Sequence, residues 1–139
     1  MKKKYSALTK YINLLKNDNA GEWICDKEND GSSERPIHVP FVSYSIAVNN
    51  LADDIYKFAK ESDEIVPSKY AEIIQANGIE WGYDSMMKAD ASGLDAQCIL
   101  ALLIAPLRAE RFCDGALLEF IESGAVIRWL KRLQELDEA

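Results

Sequence analysis

The sequence centres on ten consecutive apolar residues at 98–107, Cys-Ile-Leu-Ala-Leu-Leu-Ile-Ala-Pro-Leu. At about 100° per residue, residues 94–113 carry one apolar face along their whole length, and the run 98–107 is apolar on nearly every side. A helix that is apolar all round is buried in a core, and this run is too short to cross a bilayer, which needs about 20 residues. The stretch therefore predicts a helix that passes through the centre of the protein and emerges at its C-terminal end.

Local signals mark the ends and the middle of this central helix. Ser92, followed three residues later by Asp95, resembles a capping box and predicts the start. Gly115 predicts the end, because glycine readily takes the left-handed conformation found after helices. Pro106 removes one helical hydrogen bond and predicts a kink or a division. The kink would either shape a concave site beside the charged residues that follow or bend the helix around its neighbours.

Composition is typical of one globular domain that spans residues 1–139. The chain is 48% hydrophobic and 28% charged. Its net charge of −7 argues against broad binding to nucleic acid or to an acidic membrane surface. The basic start at residues 1–4 is not followed by the apolar segment of a secretory signal. Three cysteines without paired spacing predict reduced thiols in a cytoplasmic protein.

The rest of the chain is predicted to be mainly helical, with one small two-stranded β-hairpin. A short β-like segment at 22–26 and an alternating segment at 37–42 form the hairpin, and Pro40 places the second strand at an edge. Apolar spacing and turn residues predict further helices at 2–16, 44–60, 67–76, 84–87, 116–122 and 125–137. The predicted fold class is therefore mainly α (α+β), with about six helices around a central buried helix.

Several short stretches together resemble a family of small bacterial proteins that is defined only as a domain of unknown function. They are Arg-Ala-Glu-Arg-Phe-Cys-Asp-Gly at 108–115, Trp-Leu-Lys-Arg-Leu at 129–133, Pro-Phe-Val-Ser-Tyr at 40–44, Asn-Gly-Ile-Glu-Trp-Gly at 77–82 and Ala-Leu-Thr-Lys-Tyr at 7–11. The resemblance covers nearly the whole chain and implies a bacterial, cytoplasmic protein. It brings no reaction, substrate or site residue, so the functional interpretation rests on the residues themselves.

A dense charged cluster follows the apolar run and is the first candidate for a ligand site. On a continuous helix, Glu110 and Asp114 would present two carboxylates together. Arg108 and Arg111 would form a fork for a phosphate or a carboxylate. Alternatively, the four side chains form a structural ion-pair network that ties the central helix to the hairpin or to the last helix. In that case the arginines are not available to a ligand.

Trp81 and Tyr83 are the second group of candidates. Beside the charged cluster they would provide the aromatic walls of a polar pocket. Together with the hairpin they would instead form an exposed apolar surface for a protein partner or for self-association.

Other chemistry-bearing residues show no pattern typical of a catalytic or metal site. His38 is the single histidine, and a lone histidine on an edge strand is more often exposed or hydrogen-bonded than catalytic. Cys113 follows two arginines that would lower its pKa, but it falls with Phe112 on the predicted apolar face and is expected to be a buried, inert thiol. No ligand spacing joins Cys25, Cys98 or the other cysteine and histidine residues, so no metal and no cofactor is predicted.

The last helix carries a basic face at Arg128, Lys131 and Arg132. In so acidic a chain these residues are expected to pair within the protein, and nucleic-acid binding is the weaker interpretation. Trp129 lies on the apolar stripe of the same helix and is expected in the core. The sequence thus favours a cytoplasmic, non-catalytic interaction or regulatory module. The alternative is a binding protein or enzyme for a small anionic ligand that uses the charged cluster, and whether the protein is an enzyme stays open.

Overall fold

The computed structural model describes residues 4–16, 19–24, 41–80, 82–113 and 115–138, without the side chain of Phe41. Its elements are, in chain order, α1 Ser6–Thr9, α2 Tyr11–Lys16, β1 Gly21–Ile24, β2 Phe41–Tyr44, α3 Ile46–Glu61, α4 Tyr70–Ala76, α5 Tyr83–Lys88, α6 Ala96–Glu110, α7 Ala116–Glu122 and α8 Ala125–Glu138. Short 3₁₀ turns at Pro67–Lys69 and Ala91–Gly93 precede α4 and α6. The predicted mainly helical fold with one small hairpin is confirmed.

The apolar run is the buried centre of the molecule. Every residue from Cys98 to Leu107 is buried, and α6 packs against α3, α4, α7 and α8. The helix continues through Pro106 to Glu110. Since each side chain in the run removes apolar surface from water at about 25 cal/mol per Å², α6 supplies the largest continuous part of the core. The predicted central helix is confirmed.

The start of α6 differs from the prediction by one turn. Asp95, not Ser92, is the N-cap, and its carboxylate accepts a hydrogen bond from the Cys98 N–H at 2.9 Å. Ser92 instead lies in the preceding 3₁₀ turn, where Asp90 caps it. The acidic residue of the supposed capping box therefore caps the helix itself, which is the commoner role of aspartate at a helix start.

The hairpin is a two-stranded antiparallel sheet in which Gly21 pairs with Tyr44 and Ile24 pairs with Phe41. Its first strand is close to the predicted one, and its second lies later than predicted, at 41–44. The predicted strand residues Ile37 and Val39, together with Pro40, lie outside the described residues. The hairpin ends directly before α3, and the Ser45 N–H donates to the Ala20 carbonyl at 2.9 Å.

Candidate functional site

The charged cluster lies where α6 leaves the core. Arg108 and Glu110 are half-buried, and Arg111 is exposed. Because α6 ends at Glu110, residues 111–113 form a turn in which two successive N–H groups donate to the Ala109 carbonyl. Asp114 lies outside the described residues. Glu110 and Asp114 were expected one turn apart on a continuous helix, but the helix ends at Glu110.

The Glu110 carboxylate accepts hydrogen bonds from the main chain at the start of α7. Its oxygens accept from the Gly115 N–H at 3.0 Å and from the Leu117 N–H at 2.9 Å. The first N–H groups of a helix have no partner within it, and negative charge at that end is favourable. Glu110 thus joins the end of α6 to the start of α7.

Tyr44 brings the hairpin into the same network. Its hydroxyl donates to Glu110 Oε1 at 2.6 Å and accepts from the Leu118 N–H at 3.1 Å. Tyr44 was predicted at the beginning of a helix, whereas it is the last residue of β2. One carboxylate and one phenol therefore connect β2, α6 and α7, and these contacts are structural.

Arg108 and Arg111 face a different residue, Tyr56 of α3. The two guanidinium carbons lie 5.6 Å and 5.7 Å from the centre of the Tyr56 ring, within the range of a cation–π interaction. The arginines are three residues apart on the last turn of α6 and its extension, so they reach the same ring. Sequence reasoning missed Tyr56 because helical spacing gives the face of a helix but not the neighbour that the face meets.

Two polar groups at this place are buried without a partner among the described residues. They are the Nε of Arg108 and the hydroxyl of Tyr56. The described residues also contain no carboxylate within ion-pair distance of Arg108 or Arg111. Leaving a buried donor unsatisfied costs about 1–3 kcal/mol, so this pair of groups has hydrogen-bonding capacity that the described part of the protein does not use.

Tyr83 lies on the side of Glu110 and α7. Its half-buried ring packs edge-on against Phe120, with 5.4 Å between ring centres. Burial raises the pKa of the Tyr83 hydroxyl, and the proximity of the Cys113 side chain and of Glu119 adds to the effect. Trp81, the other predicted aromatic wall, lies outside the described residues.

An open groove of about 280 Å³ runs between the hairpin and α7. Trp23 of β1 forms one wall, and its side chain is 50% exposed. Cys113, Ala116 and Leu118 continue the lining, and the carboxylates of Glu119 and Glu122 complete it. The groove thus combines apolar side chains with acidic groups on the α7 side.

Phe112 and Cys113 are exposed, which corrects the prediction that they lie on the buried face of the central helix. Phe112 is 92% exposed, and Cys113 is an exposed free thiol. The prediction extended ideal helical spacing past Glu110, where the chain turns outward. The other described thiol, Cys98, is buried as expected, and burial raises its pKa to about 11.

The basic residues of α8 are partly used within the protein. Arg128 donates to the Met87 carbonyl, and Arg132 Nε donates to the Leu94 carbonyl at 2.9 Å. Arg132 also pairs with Glu135 of its own helix at 3.2 Å. Trp129 is fully buried against Phe120 in the core, as predicted.

The described residues contain no cluster of three or more His, Cys, Asp or Glu side chains with metal-binding geometry. Cys25 and His38 lie outside them. Among the helices described, none combines the length and the apolar character needed to cross a membrane.

A central apolar helix, a small hairpin and a shared hydrogen-bond network thus make up a small, mainly helical domain. A family model described as a family of unknown function, DUF6508, matches residues 1–139, so the chain belongs to that family. No curated protein matches the chain, and no solved structure matches it.

Proposed function

We propose that this protein is a non-catalytic interaction module of the bacterial cytoplasm. Its groove between the hairpin and α7 would bind a segment of another protein that carries an apolar side chain next to a basic one. The observation that carries the proposal is the groove itself, with a half-exposed tryptophan on one wall and acidic residues on the other. The bacterial, cytoplasmic setting rests on the sequence resemblance and on free thiols at both described cysteines.

The apolar half of the partner is inferred from Trp23 and Phe112. Trp23 lines the groove, and Phe112 directly precedes Cys113, which also lines it. Exposed large aromatic side chains are typical of interaction surfaces, and tryptophan is among the commonest anchors there. A tryptophan buries up to about 250 Å², so covering the exposed half of Trp23 would remove about 120 Å² from water and contribute about 3 kcal/mol. The groove volume of about 280 Å³ suits one or two side chains.

The basic half of the partner is inferred from Glu119 and Glu122. They are one turn apart on α7, both are exposed, and neither forms an ion pair with another described residue. Neighbouring like charges on a helix repel each other slightly. A lysine or arginine placed between them would relieve this repulsion, and the net charge of −7 would favour the approach of a basic partner.

The test is photo-crosslinking followed by a binding measurement. A protein with p-benzoylphenylalanine in place of Phe112 is irradiated in bacterial lysate, and the same residue in place of Ile46, which is also exposed, is the control. We expect a partner captured from the first position and not from the second. The captured protein is then purified and titrated into the wild type and the Trp23→Ala variant.

We expect Trp23→Ala to weaken binding about 30-fold, which corresponds to about 2 kcal/mol. Val66→Ala is the matched control, because Val66 is 55% exposed outside the groove, and it should leave the affinity unchanged. Light scattering after size-exclusion chromatography separates binding to another protein from self-association. A strict monomer without a crosslinked partner, or equal losses in both variants, would argue against the proposal.

A further inference from the structure

We infer that Arg108, Arg111 and Tyr56 form a binding site for an oxyanion, a carboxylate or a phosphate group. This site is distinct from the groove of the proposed function and does not depend on it. It uses the α3 side of α6, and the groove lies between β1 and α7. The inference rests on two cations and two unsatisfied buried groups that meet at one tyrosine.

Arg108 and Arg111 bring two positive charges to one tyrosine ring. The two guanidinium groups lie 5.6 Å and 5.7 Å from the same ring centre, and no described carboxylate is within ion-pair distance of either. Asp53, one turn before Tyr56 on α3, is exposed and pairs with neither arginine. Two positive charges held close together repel each other, and an anion between them would turn this repulsion into attraction.

Two hydrogen-bonding groups of the same side chains are unsatisfied within the described part of the chain. The Nε–H of Arg108 and the hydroxyl of Tyr56 are buried and have no partner among the described residues. A guanidinium presents Nε–H and Nη–H in a planar fork that matches the two oxygens of a carboxylate or a phosphate. The Tyr56 hydroxyl is a further donor, on the ring that both guanidinium groups approach. A bound oxyanion would satisfy both groups, whereas water held there would lack a counter-charge.

Glu110 does not fill this role, although it lies between the two arginines in sequence. Its oxygens are used by Tyr44, Gly115 and Leu117. The end of α6 therefore separates its charges. The carboxylate closes the fold on the α7 side, and the two cations remain at α3.

The ligand is defined by this chemistry as a small anion or an anionic side group with at least two oxygens on one centre. Inorganic phosphate and succinate are the probes, because they distinguish a tetrahedral phosphate from a planar carboxylate. Each is titrated into the full chain, and ¹H–¹⁵N spectra follow the Nε–H of Arg108. We expect a saturable downfield shift of this signal with at least one probe and a Kd on the order of 1 mM.

Variants separate a built site from general attraction of anions. Arg111→Gln should weaken binding at least tenfold, and Arg111→Lys should weaken it also, because lysine keeps the charge but loses the fork. Tyr56→Phe keeps the ring and should weaken binding about threefold to tenfold through the lost hydroxyl. Lys131→Gln removes one exposed positive charge on α8 and should leave the affinity unchanged.

Two results would overturn the inference. One is the absence of a saturable shift with both phosphate and succinate in the folded wild type. The other is an equal loss of affinity in Lys131→Gln and Arg111→Gln, which would mean that anions respond only to net charge. Far-ultraviolet circular dichroism of each variant confirms that the comparison is made between folded proteins.

Discussion

Replacing Glu110 by alanine is the sharpest test of how α6, α7 and the hairpin are held together. The change removes the acceptor for the Gly115 and Leu117 N–H groups and for the Tyr44 hydroxyl. We therefore expect a loss of stability that is much larger than that of an ordinary surface substitution.

The magnitude follows from the number and the exposure of these bonds. One hydrogen bond to a charged group contributes about 1.5–3 kcal/mol, and the loss of a helix cap costs about 0.5–2 kcal/mol. Glu110 is half-buried, so water will replace part of the three bonds, and we take about 2.5 kcal/mol as the net loss. With about 2.1 cal/mol/K of unfolding entropy per residue, the 139 residues convert this loss into a fall in Tm of about 9 °C.

Thermal unfolding followed by circular dichroism measures this fall directly. Glu122→Ala is the matched control, since it removes an exposed glutamate from the other end of α7 and should shift Tm by no more than about 2 °C. A double-mutant cycle of Glu110→Gln with Tyr44→Phe should give a coupling free energy of about 1 kcal/mol. The reasoning is refuted if Glu110→Ala unfolds at the same temperature as Glu122→Ala.

Three further predictions concern other parts of the structure. Gly115→Ala should destabilise the protein by at least about 2 kcal/mol in a urea titration, because Gly115 has a φ of 94° and a Cβ there would overlap the Trp23 ring; a neutral result would contradict the described turn. With Cys25 replaced by serine, Ellman's reagent should react quickly with Cys113 and with Cys98 only in denaturant, since Cys98 is buried and its pKa is raised to about 11. Fast reaction of both thiols in the native protein would contradict the burial of Cys98 in the core. Burial and a hydrogen bond to Asp54 raise the pKa of the Tyr11 hydroxyl from 10.0 to about 12. The stabilisation by the neutral hydroxyl is therefore complete below pH 10 and is lost as the pH rises towards 12. Tyr11→Phe should reduce the fall in the free energy of unfolding over this pH range, and an unchanged slope would exclude Tyr11 as its source.

The sequence was sufficient for the features that depend on local pattern. The apolar run at 98–107 predicted a buried central helix because it leaves no polar face that water could cover, and all ten of its residues are buried. The helix at 116–122 was predicted with the bounds that the structure gives, because glycines flank a short apolar segment. The stripe of α8 likewise placed Trp129 in the core.

What the sequence did not supply depends on contacts between distant segments. The end of α6 was predicted at Gly115 but lies at Glu110, whose carboxylate bonds to the start of α7 and to Tyr44, 66 residues away. The Phe112 and Cys113 N–H groups both donate to the Ala109 carbonyl, so the chain leaves the helix after Glu110, and Phe112 is exposed. Tyr56 was missed for the same reason, because nothing in the spacing of α3 indicates that its ring meets the arginines of α6.

The central claim is that the charges at the end of α6 divide into a carboxylate that closes the fold and two arginines that bind an oxyanion. The most direct measurement is Tm with and without about 20 mM phosphate for the wild type, Glu110→Ala and Arg111→Gln. A ligand at a concentration of 20 times its Kd raises the free energy of unfolding by about 1.8 kcal/mol, which corresponds to a rise in Tm of about 6 °C for this protein. We expect this rise in the wild type and in Glu110→Ala, which starts from a lower Tm, whereas Arg111→Gln should start near the wild type and show only the small general effect of phosphate on folding. Equal rises in all three proteins, or a low starting Tm in Arg111→Gln together with a normal one in Glu110→Ala, would contradict the account.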